Sequence, residues 1–180
     1  MGPLLHHDEA TIRATHPEIP TLDEALEVLG DLIINVEIKN WPFDPDHDPT
    51  HKMAEAIARW VALHDLYDRV VVSSFNPDTL ATVRHADERI LTSMLISIGV
   101  DVLKDLEAIA AAGHSWIAPN VSDAVVDAEG LVAAARAAGL GVIIWVTDDP
   151  VAIATLTTAG VDAIISNDPR ATLKVIAETV

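Results

Sequence analysis

Cysteine is absent from the 180-residue sequence, so disulfide bonds and thiol catalysis are excluded. Basic residues are scarce, with 11 Lys and Arg against 28 Asp and Glu and a formal net charge of -17. Nucleic acids and anionic membranes both attract clustered Lys and Arg, so we expect neither as a partner. No apolar run approaches the roughly 18 residues of a membrane span, and residues 1–8 lack a basic region followed by an apolar core. We therefore expect no membrane span and a cytoplasmic location.

Aromatic residues are also few, at 4%, although half of the residues are apolar. The apolar residues are mainly Ala, Val, Leu and Ile in short runs, as expected for buried parallel strands between helices. A chain of this length suits one domain over residues 1–180, whereas a complete (β/α)8 barrel needs about 250 residues. The composition therefore predicts an ordered α/β protein.

Short β-branched runs alternate with Ala-rich segments of helical period, which indicates repeated strand–helix units around a parallel sheet. Gly113, Gly139 and Gly160 each follow a predicted helix, where a left-handed residue commonly ends it. The alternation does not distinguish a barrel from an open doubly wound sheet. The predicted strands are 4–7, 32–39, 70–74, 90–95, 116–119, 141–146 and 163–166, and the predicted helices are 21–29, 51–63, 77–85, 102–112, 128–138, 150–159 and 169–178.

One segment, residues 40–49, breaks this alternation. It contains Pro42, Pro45 and Pro49, and proline resists both helix and sheet. The segment follows a predicted strand, and ligands of parallel α/β folds bind where the carboxyl ends of the strands meet. We interpret it as a loop over the active face.

Glu37 and Lys39 are the most informative charged pair. They lie two positions apart in a predicted strand, so they share one face with Asn35, and in a barrel that face points inward. An inward Glu can bind a metal ion, and a neighbouring Lys can bind an anionic oxygen such as phosphate. The alternative is a mutual salt bridge that closes the end of the barrel, and the spacing alone does not choose between them.

Other predicted strand ends carry residues with two interpretations. His7 could act as a general acid or base near neutral pH, or it could be a surface histidine. Ser73 and Ser74 could supply a nucleophile only beside a base, so we favour a role in capping the helix that follows Asn76. Trp145 is either core packing or the wall of a pocket.

Six motifs in this sequence, taken in order, resemble those of the glycerophosphodiester phosphodiesterases. They cover nearly the whole chain, and six in the same order are hard to produce by chance. The resemblance implies an α/β fold, a TIM (β/α)8 barrel, and metal-dependent hydrolysis of glycerophosphodiesters to glycerol 3-phosphate and an alcohol. The motifs are LLHHD at 4–8, IPTLDEAL at 19–26, NVEIK at 35–39, VSSFN at 72–76, WVT at 145–147 and GVDAIISNDP at 160–169.

The resemblance also implies a role for each candidate residue. His7 would be one of the family's two acid/base histidines, Glu37 a ligand of a divalent metal, Mg²⁺ or Ca²⁺, and Lys39 a cation beside the phosphate. Trp145 would line the substrate pocket, with Phe75 nearby. The expected partner is a small-molecule glycerophosphodiester.

The family opens with a strand bearing His-Arg-Gly, then a Pro-Glu-Asn-Thr stretch and a strand bearing Glu-x-Asp. None of these motifs precedes His7 in this sequence. We therefore expect a barrel that is incomplete at the N-terminus, with the first strand and most of the second missing. Its site would lack the first histidine and the other metal-binding carboxylates, and its open strand edges would permit self-association. The alternatives are a non-catalytic barrel remnant that binds a phosphate ester or a partner chain and, more remotely, an unrelated open α/β enzyme.

Overall fold

A computed structural model describes residues 7–180. Its strands form one parallel sheet in which each strand pairs with the next along the chain, from β1 to β6. This order is that of a barrel rather than of a doubly wound sheet, and the curled sheet with its helices is an incomplete TIM barrel. The strands are β1 Ile34–Glu37, β2 Val70–Ser74, β3 Leu91–Ile96, β4 Trp116–Pro119, β5 Gly141–Ile144 and β6 Ala163–Ile164.

The helices fill the connections between strands. A short 3-10 turn, Val102–Lys104, precedes α5. The helices are α1 Glu9–Thr15, α2 Leu22–Leu29, α3 Lys52–Leu63, α4 Pro77–Ala86, α5 Leu106–Ala111, α6 Val121–Ala124, α7 Ala128–Ala137, α8 Pro150–Ala159 and α9 Pro169–Thr179. Among residues 7–180, no helix has the length and apolarity needed to cross a membrane.

The predicted elements match the structure with a few differences. The predicted strand 4–7 lies outside the described residues except for His7, which forms a bend. The predicted helix 102–112 is interrupted at Asp105, which ends the 3-10 turn and precedes α5. Helix α1 was not predicted, and it begins because the Asp8 carboxylate accepts a hydrogen bond from the Thr11 N–H.

Three helices begin with the same two-residue signal, an Asn or Asp followed by proline. The side chains of Asn76, Asp149 and Asp168 each accept a hydrogen bond from a backbone N–H in the first turn of α4, α8 or α9. Proline at the next position loses nothing, because the first N–H groups of a helix have no partner within it. The capping interpretation of Asn76 is thus confirmed. Thr21 and Glu24 form the reciprocal capping box that starts α2.

The convex side of the sheet buries most of the apolar side chains. Val72, Leu80 and Val83 are fully buried between β2, α3 and α4. A second cluster, containing Ile117 and Ile144, packs under α5, α7 and α8. Each such side chain contributes about 1.5–3 kcal/mol by leaving water, so these two clusters hold the helices against the sheet.

The concave side carries a smaller apolar cluster. Leu95, Ala118 and Ile143 are buried there, and Phe75, Trp116, Trp145 and Ile165 pack against them. Glycine at position 141 is required by this packing, since a Cβ there would collide with the Trp116 ring. The concave cluster forms the floor beneath the candidate site.

Candidate active site

Glu37 and Lys39 project from β1 and its extension on the concave side. The intervening side chains of Ile34, Val36 and Ile38 pack against the α3 and α4 cluster, so Glu37 and Lys39 face the other way. Both are exposed, and both line a pocket of about 250 Å³. Within residues 7–180 neither side chain forms a hydrogen bond or an ion pair, so the proposed mutual salt bridge is not found. Two unpaired opposite charges therefore face one pocket.

Four aromatic side chains form a continuous row along the carboxyl ends of the strands. Phe43 lies 6.1 Å from Trp41 between ring centroids, Trp41 lies 6.2 Å from Phe75, and Phe75 lies 5.4 Å from Trp145. The last two contacts are edge-to-face, a favoured geometry for aromatic pairs. The Trp145 indole N–H also donates to the Ala118 carbonyl at 2.7 Å, which fixes this ring. The structure thus brings Phe75 and Trp145 together and joins them to Trp41, which lines the pocket with Glu37 and Lys39.

Asn40 holds the loop that carries Trp41 and Phe43. Its buried amide accepts a hydrogen bond from the Asp48 N–H at 2.8 Å and donates to the Asp48 carbonyl at 3.0 Å. It also donates to the Thr79 hydroxyl at 3.1 Å, while the Asn40 carbonyl accepts from the Asn76 side chain at 2.7 Å. One amide therefore closes the loop on itself and ties it to α4. The loop predicted at residues 40–49 is confirmed as a non-helical connection between β1 and α3.

The far end of this loop is fixed by Asp48. Its carboxylate accepts hydrogen bonds from the Thr50 hydroxyl, the Thr50 N–H and the Lys52 N–H. These donors, the Thr50 hydroxyl foremost, lower the pKa of Asp48 from its ordinary 3.8 to about 2. The loop base therefore stays charged and ordered at physiological pH.

At the other edge of the sheet, the Asp148 carboxylate also accepts several hydrogen bonds from a neighbouring connection. Its carboxylate accepts from the Ser166 hydroxyl, from the backbone and side chain of Asn167 and from the Asp168 N–H. The Ser166 hydroxyl contributes most and the Asn167 side chain next, and together the four donors lower the pKa of Asp148 to about 2. Asp148 thus joins the β5–α8 connection to the β6–α9 connection.

His7 and the serines of β2 are not among the residues that line the pocket of Glu37 and Lys39. His7 lies in the bend before α1, and no hydrogen bond or ion pair described for residues 7–180 joins it to Glu37 or Lys39. Ser74 donates to the Ile38 carbonyl at 2.8 Å, which is a structural role. The Ser73 and Ser93 hydroxyls are buried on the concave side without a partner among the described residues. Because no base contacts Ser73, the structure gives no support to a serine nucleophile.

The described residues do not form a complete metal site. Mg²⁺ and Ca²⁺ require about six or more oxygen ligands, of which protein carboxylates usually supply several. Within residues 7–180, no three His, Asp or Glu side chains are grouped so that they could hold a metal ion. Glu37 and Asp44 are the two carboxylates that line the pocket of Lys39 and Trp41. Glu37 fits the role of one ligand and no more.

The sequence interpretation missed Asn40, Trp41, Phe43 and Asp44. It identified their segment as a loop over the active face but assigned no role to its side chains. A signal was available, because only seven residues of the chain are Phe, Trp or Tyr and two of them stand in this loop. A cluster of scarce aromatics in an exposed loop is more informative than proline content alone.

Residues 4–171 match the sequence model of the glycerophosphoryl diester phosphodiesterase family. No curated protein has a sequence that matches the chain. Three similar solved structures are of phosphodiesterases, and those from Silicibacter pomeroyi and Thermotoga maritima are named for glycerophosphodiesters. The one from Silicibacter pomeroyi has 28% identity and a TM-score of 0.71, with 88% of this chain and 56% of that chain covered. The Thermotoga maritima structure has 19% identity and a TM-score of 0.68, with 92% and 66% covered.

The third is an Oleispira antarctica phosphodiesterase in complex with the product sn-glycerol-3-phosphate. It has 21% identity and a TM-score of 0.65, and the match covers 88% of this chain and 62% of that chain. The chain thus spans between 56% and 66% of the length of these three structures.

Proposed function

Because the chain belongs to the glycerophosphoryl diester phosphodiesterase family, we propose that its pocket takes part in the hydrolysis of glycerophosphodiesters to glycerol 3-phosphate and an alcohol. The observation that carries the proposal is the unpaired Glu37 and Lys39 facing one pocket on the concave side of the sheet. Both side chains are exposed and have no partner among residues 7–180, so both are available to a ligand that enters the pocket. A phosphodiester is a ligand that uses a cation of this kind.

Lys39 is proposed to bind the phosphate. With a formal net charge of -17, the chain as a whole repels an anionic substrate. Lys39, a local cation with no partner among residues 7–180, offsets this repulsion at close range. Trp145 and Phe75 are proposed to line the pocket beside the alcohol portion of the substrate. His7 is proposed as a general acid or base that transfers a proton to or from the reacting oxygens.

Glu37 is proposed as one ligand of a divalent metal, Mg²⁺ or Ca²⁺, which would neutralise phosphate charge. The other ligands of such an ion are not found among residues 7–180. We therefore propose that residues 1–180 form one partial barrel domain with an incomplete active site. A cytoplasmic location also stays a prediction.

The proposal is tested by measuring release of glycerol 3-phosphate from glycerophosphocholine and glycerophosphoethanolamine, with Mg²⁺, with Ca²⁺ and with a chelator. In parallel, binding of sn-glycerol 3-phosphate is measured by calorimetry. The variants are Glu37→Gln, Lys39→Met and His7→Ala, and the matched control is Glu27→Gln, an exposed carboxylate on α2. We expect Lys39→Met to weaken binding of the product and Glu27→Gln to change nothing.

The two measurements separate the parts of the proposal. Metal-dependent turnover that Glu37→Gln abolishes, and that His7→Ala lowers about 100-fold or more, would support the activity and overturn the incomplete site. Binding of glycerol 3-phosphate without turnover would support the phosphate site and the incomplete site together. A folded chain that neither binds the product nor turns over either substrate would contradict the proposed function.

The alternative role, a non-catalytic remnant that binds a partner chain, rests on the strand edges. In the described sheet β1 and β6 each pair with a strand on one side only. Leu32 and Ile33, just before β1, are exposed apolar residues at that edge. Unpaired edges are templates for pairing with another chain, so self-association is proposed. Sedimentation velocity of the same protein preparation tests it, and a monomer at all concentrations would contradict it.

A further inference from the structure

The aromatic residues of this chain are concentrated at one place. Of four Trp, two Phe and one Tyr in the sequence, four form the continuous row Phe43, Trp41, Phe75 and Trp145. Two of them are open to solvent, since 36% of Trp41 and 85% of Phe43 are exposed. Exposing large aromatic surface costs free energy unless a ligand covers it. Phe75 and Trp145 pack against the concave apolar cluster, so the exposed end of the row, Trp41 and Phe43, indicates a binding surface.

Charges of both signs flank this row. The pocket that Trp41 and Phe75 line also contains Lys39, Glu37 and Asp44. The Asp44 side chain is exposed and forms no hydrogen bond or ion pair within residues 7–180. Lys39 can bind an anionic group, and Asp44 with the aromatic faces can bind a cationic one. The pocket is therefore complementary to a zwitterion.

The loop that presents Trp41, Phe43 and Asp44 is held in advance of binding. Asn40 closes it through both hydrogen bonds to the backbone of Asp48, and the Asp44 N–H donates to the Trp41 carbonyl at 3.0 Å. A preorganised loop loses little conformational entropy when a ligand binds. Its shape is thus suited to selecting one headgroup over another.

We propose that the Trp41 side of this pocket binds a quaternary ammonium headgroup, so that choline-type diesters are the preferred substrates. The inference rests on the proposed function, because it names the alcohol of the diester whose phosphate Lys39 binds. A quaternary ammonium group is weakly hydrated and is attracted to the faces of Trp and Phe rings. Trp41 and Phe75 line both this pocket of about 250 Å³ and a second one of about 390 Å³, which gives a headgroup room beside the rings.

Other headgroups match the pocket less well. The primary ammonium of ethanolamine can donate to the Asp44 carboxylate, but it is more strongly hydrated than a quaternary group and loses that hydration against the aromatic faces. An uncharged headgroup such as glycerol can donate a hydrogen bond to Asp44 but has no charge to attract it to the aromatic faces. The quaternary ammonium uses the aromatic faces and the carboxylate together.

The experiment compares phosphocholine, phosphoethanolamine and the phosphate ester of 3,3-dimethylbutanol, which has the shape of phosphocholine without the positive charge. Binding is followed by NMR through the indole N–H signals of Trp41 and Trp145, the second of which remains in Trp41→Ala. The indole of Trp60, which donates to Asp23 at 2.6 Å on the outer side of α3, serves as an internal control. We expect phosphocholine to bind about 3- to 30-fold more tightly than either of the other two.

Three variants locate the selectivity. Trp41→Ala and Phe43→Ala should each reduce the preference for phosphocholine. Asp44→Asn should reduce it further, so that phosphocholine and the neutral analogue bind with more similar affinities. Trp60→Phe should leave it unchanged. Phe43 is almost fully exposed, so Phe43→Ala keeps the inference testable if Trp41→Ala fails to fold.

The outcomes distinguish this inference from the proposed function. Selective binding of phosphocholine that Phe43→Ala removes supports the headgroup site even in the absence of turnover. Equal binding of the three esters, or selectivity unaffected by all three variants, overturns the headgroup site. Hydrolysis of glycerophosphoethanolamine as fast as glycerophosphocholine would also overturn it while leaving the proposed function intact.

Discussion

The β1–α3 loop and the β5–α8 connection lie at opposite edges of the sheet, and in each of them one side chain makes hydrogen bonds to several groups around it. At the β1 edge the side chain is Asn40, a buried neutral amide that both donates and accepts. At the β6 edge it is Asp148, an exposed carboxylate that only accepts. The two connections therefore occupy equivalent places in the fold, but the side chain at the β1 edge is neutral and the side chain at the β6 edge is charged.

This difference has a physical consequence for each edge. A buried amide does not itself titrate, but removing it leaves buried backbone groups without partners. An exposed carboxylate can be replaced by water at lower cost, but its hydrogen bonds depend on ionisation. We therefore expect the hydrogen bonds of Asn40 to Asp48 and Thr79 to persist in acid, whereas the β6 edge loosens there. The Asp48 carboxylate at the far end of the loop, with its pKa of about 2, should lose its hydrogen bonds in the same acid range.

The largest expected effect is that of Asn40→Ala. It removes the hydrogen bonds to both backbone groups of Asp48 and to the buried Thr79 hydroxyl. We expect the free energy of unfolding to fall by about 2–4 kcal/mol, because buried polar groups are left unsatisfied. Urea denaturation measures it. Asn35→Ala, on β1 and exposed, should cost about 0.5 kcal/mol or less. Equal losses for the two variants would show that the loop is not held by Asn40.

A smaller, pH-dependent effect is expected for Asp148→Ala. The pKa of Asp148 is lower in the folded protein, about 2 against 3.8, so its contribution to stability is complete above about pH 4 and is lost as the pH falls towards 2. The variant should melt a few degrees below the parent at neutral pH, and the gap should close in that acid range. Asp46→Ala, which removes an exposed loop carboxylate, controls for net charge. A gap that is independent of pH would contradict this interpretation.

The smallest effect is expected for Ser166→Ala, which removes one of the four donors to Asp148. The pKa of Asp148 should rise but stay below 3.8, because the Asn167 and Asp168 donors remain. A carboxyl-detected NMR titration measures this change. Ser122→Ala, whose hydroxyl instead donates to Asn120, should leave the Asp148 titration unaltered. An unchanged pKa in Ser166→Ala would mean that the hydroxyl is not the main donor.

The comparison also shows where sequence reasoning succeeded. Val70–Ser74, Trp116–Pro119 and Pro150–Ala159 have the predicted bounds, because β-branched runs and Asx–Pro starts are local signals. The shared face of Glu37 and Lys39 likewise followed from the period of a strand, and all of these features depend on residues that are close in sequence. The barrel-type fold was implied by the family resemblance, since the local alternation fits a doubly wound sheet equally well.

Features that depend on distant residues could not be predicted in the same way. Asn40 contacts Thr79, 39 positions away, and Trp145 donates to Ala118, 27 positions away. No spacing rule links such residues before the sheet has formed. The 3-10 turn ahead of α5 was missed for a similar reason, since its sequence suits a continuous helix. The roles of His7, Glu37, Lys39, Phe75 and Trp145 stay predictions.

The strictly sequential strand order has a consequence for how the protein is made. Each strand pairs only with its immediate predecessor and successor in the chain, so every pairing in the sheet can form soon after its second strand leaves the ribosome. Within residues 7–180, no strand waits for a distant C-terminal partner. During synthesis from the N-terminus, β1 and its aromatic loop therefore leave the ribosome before the other strands of the described sheet.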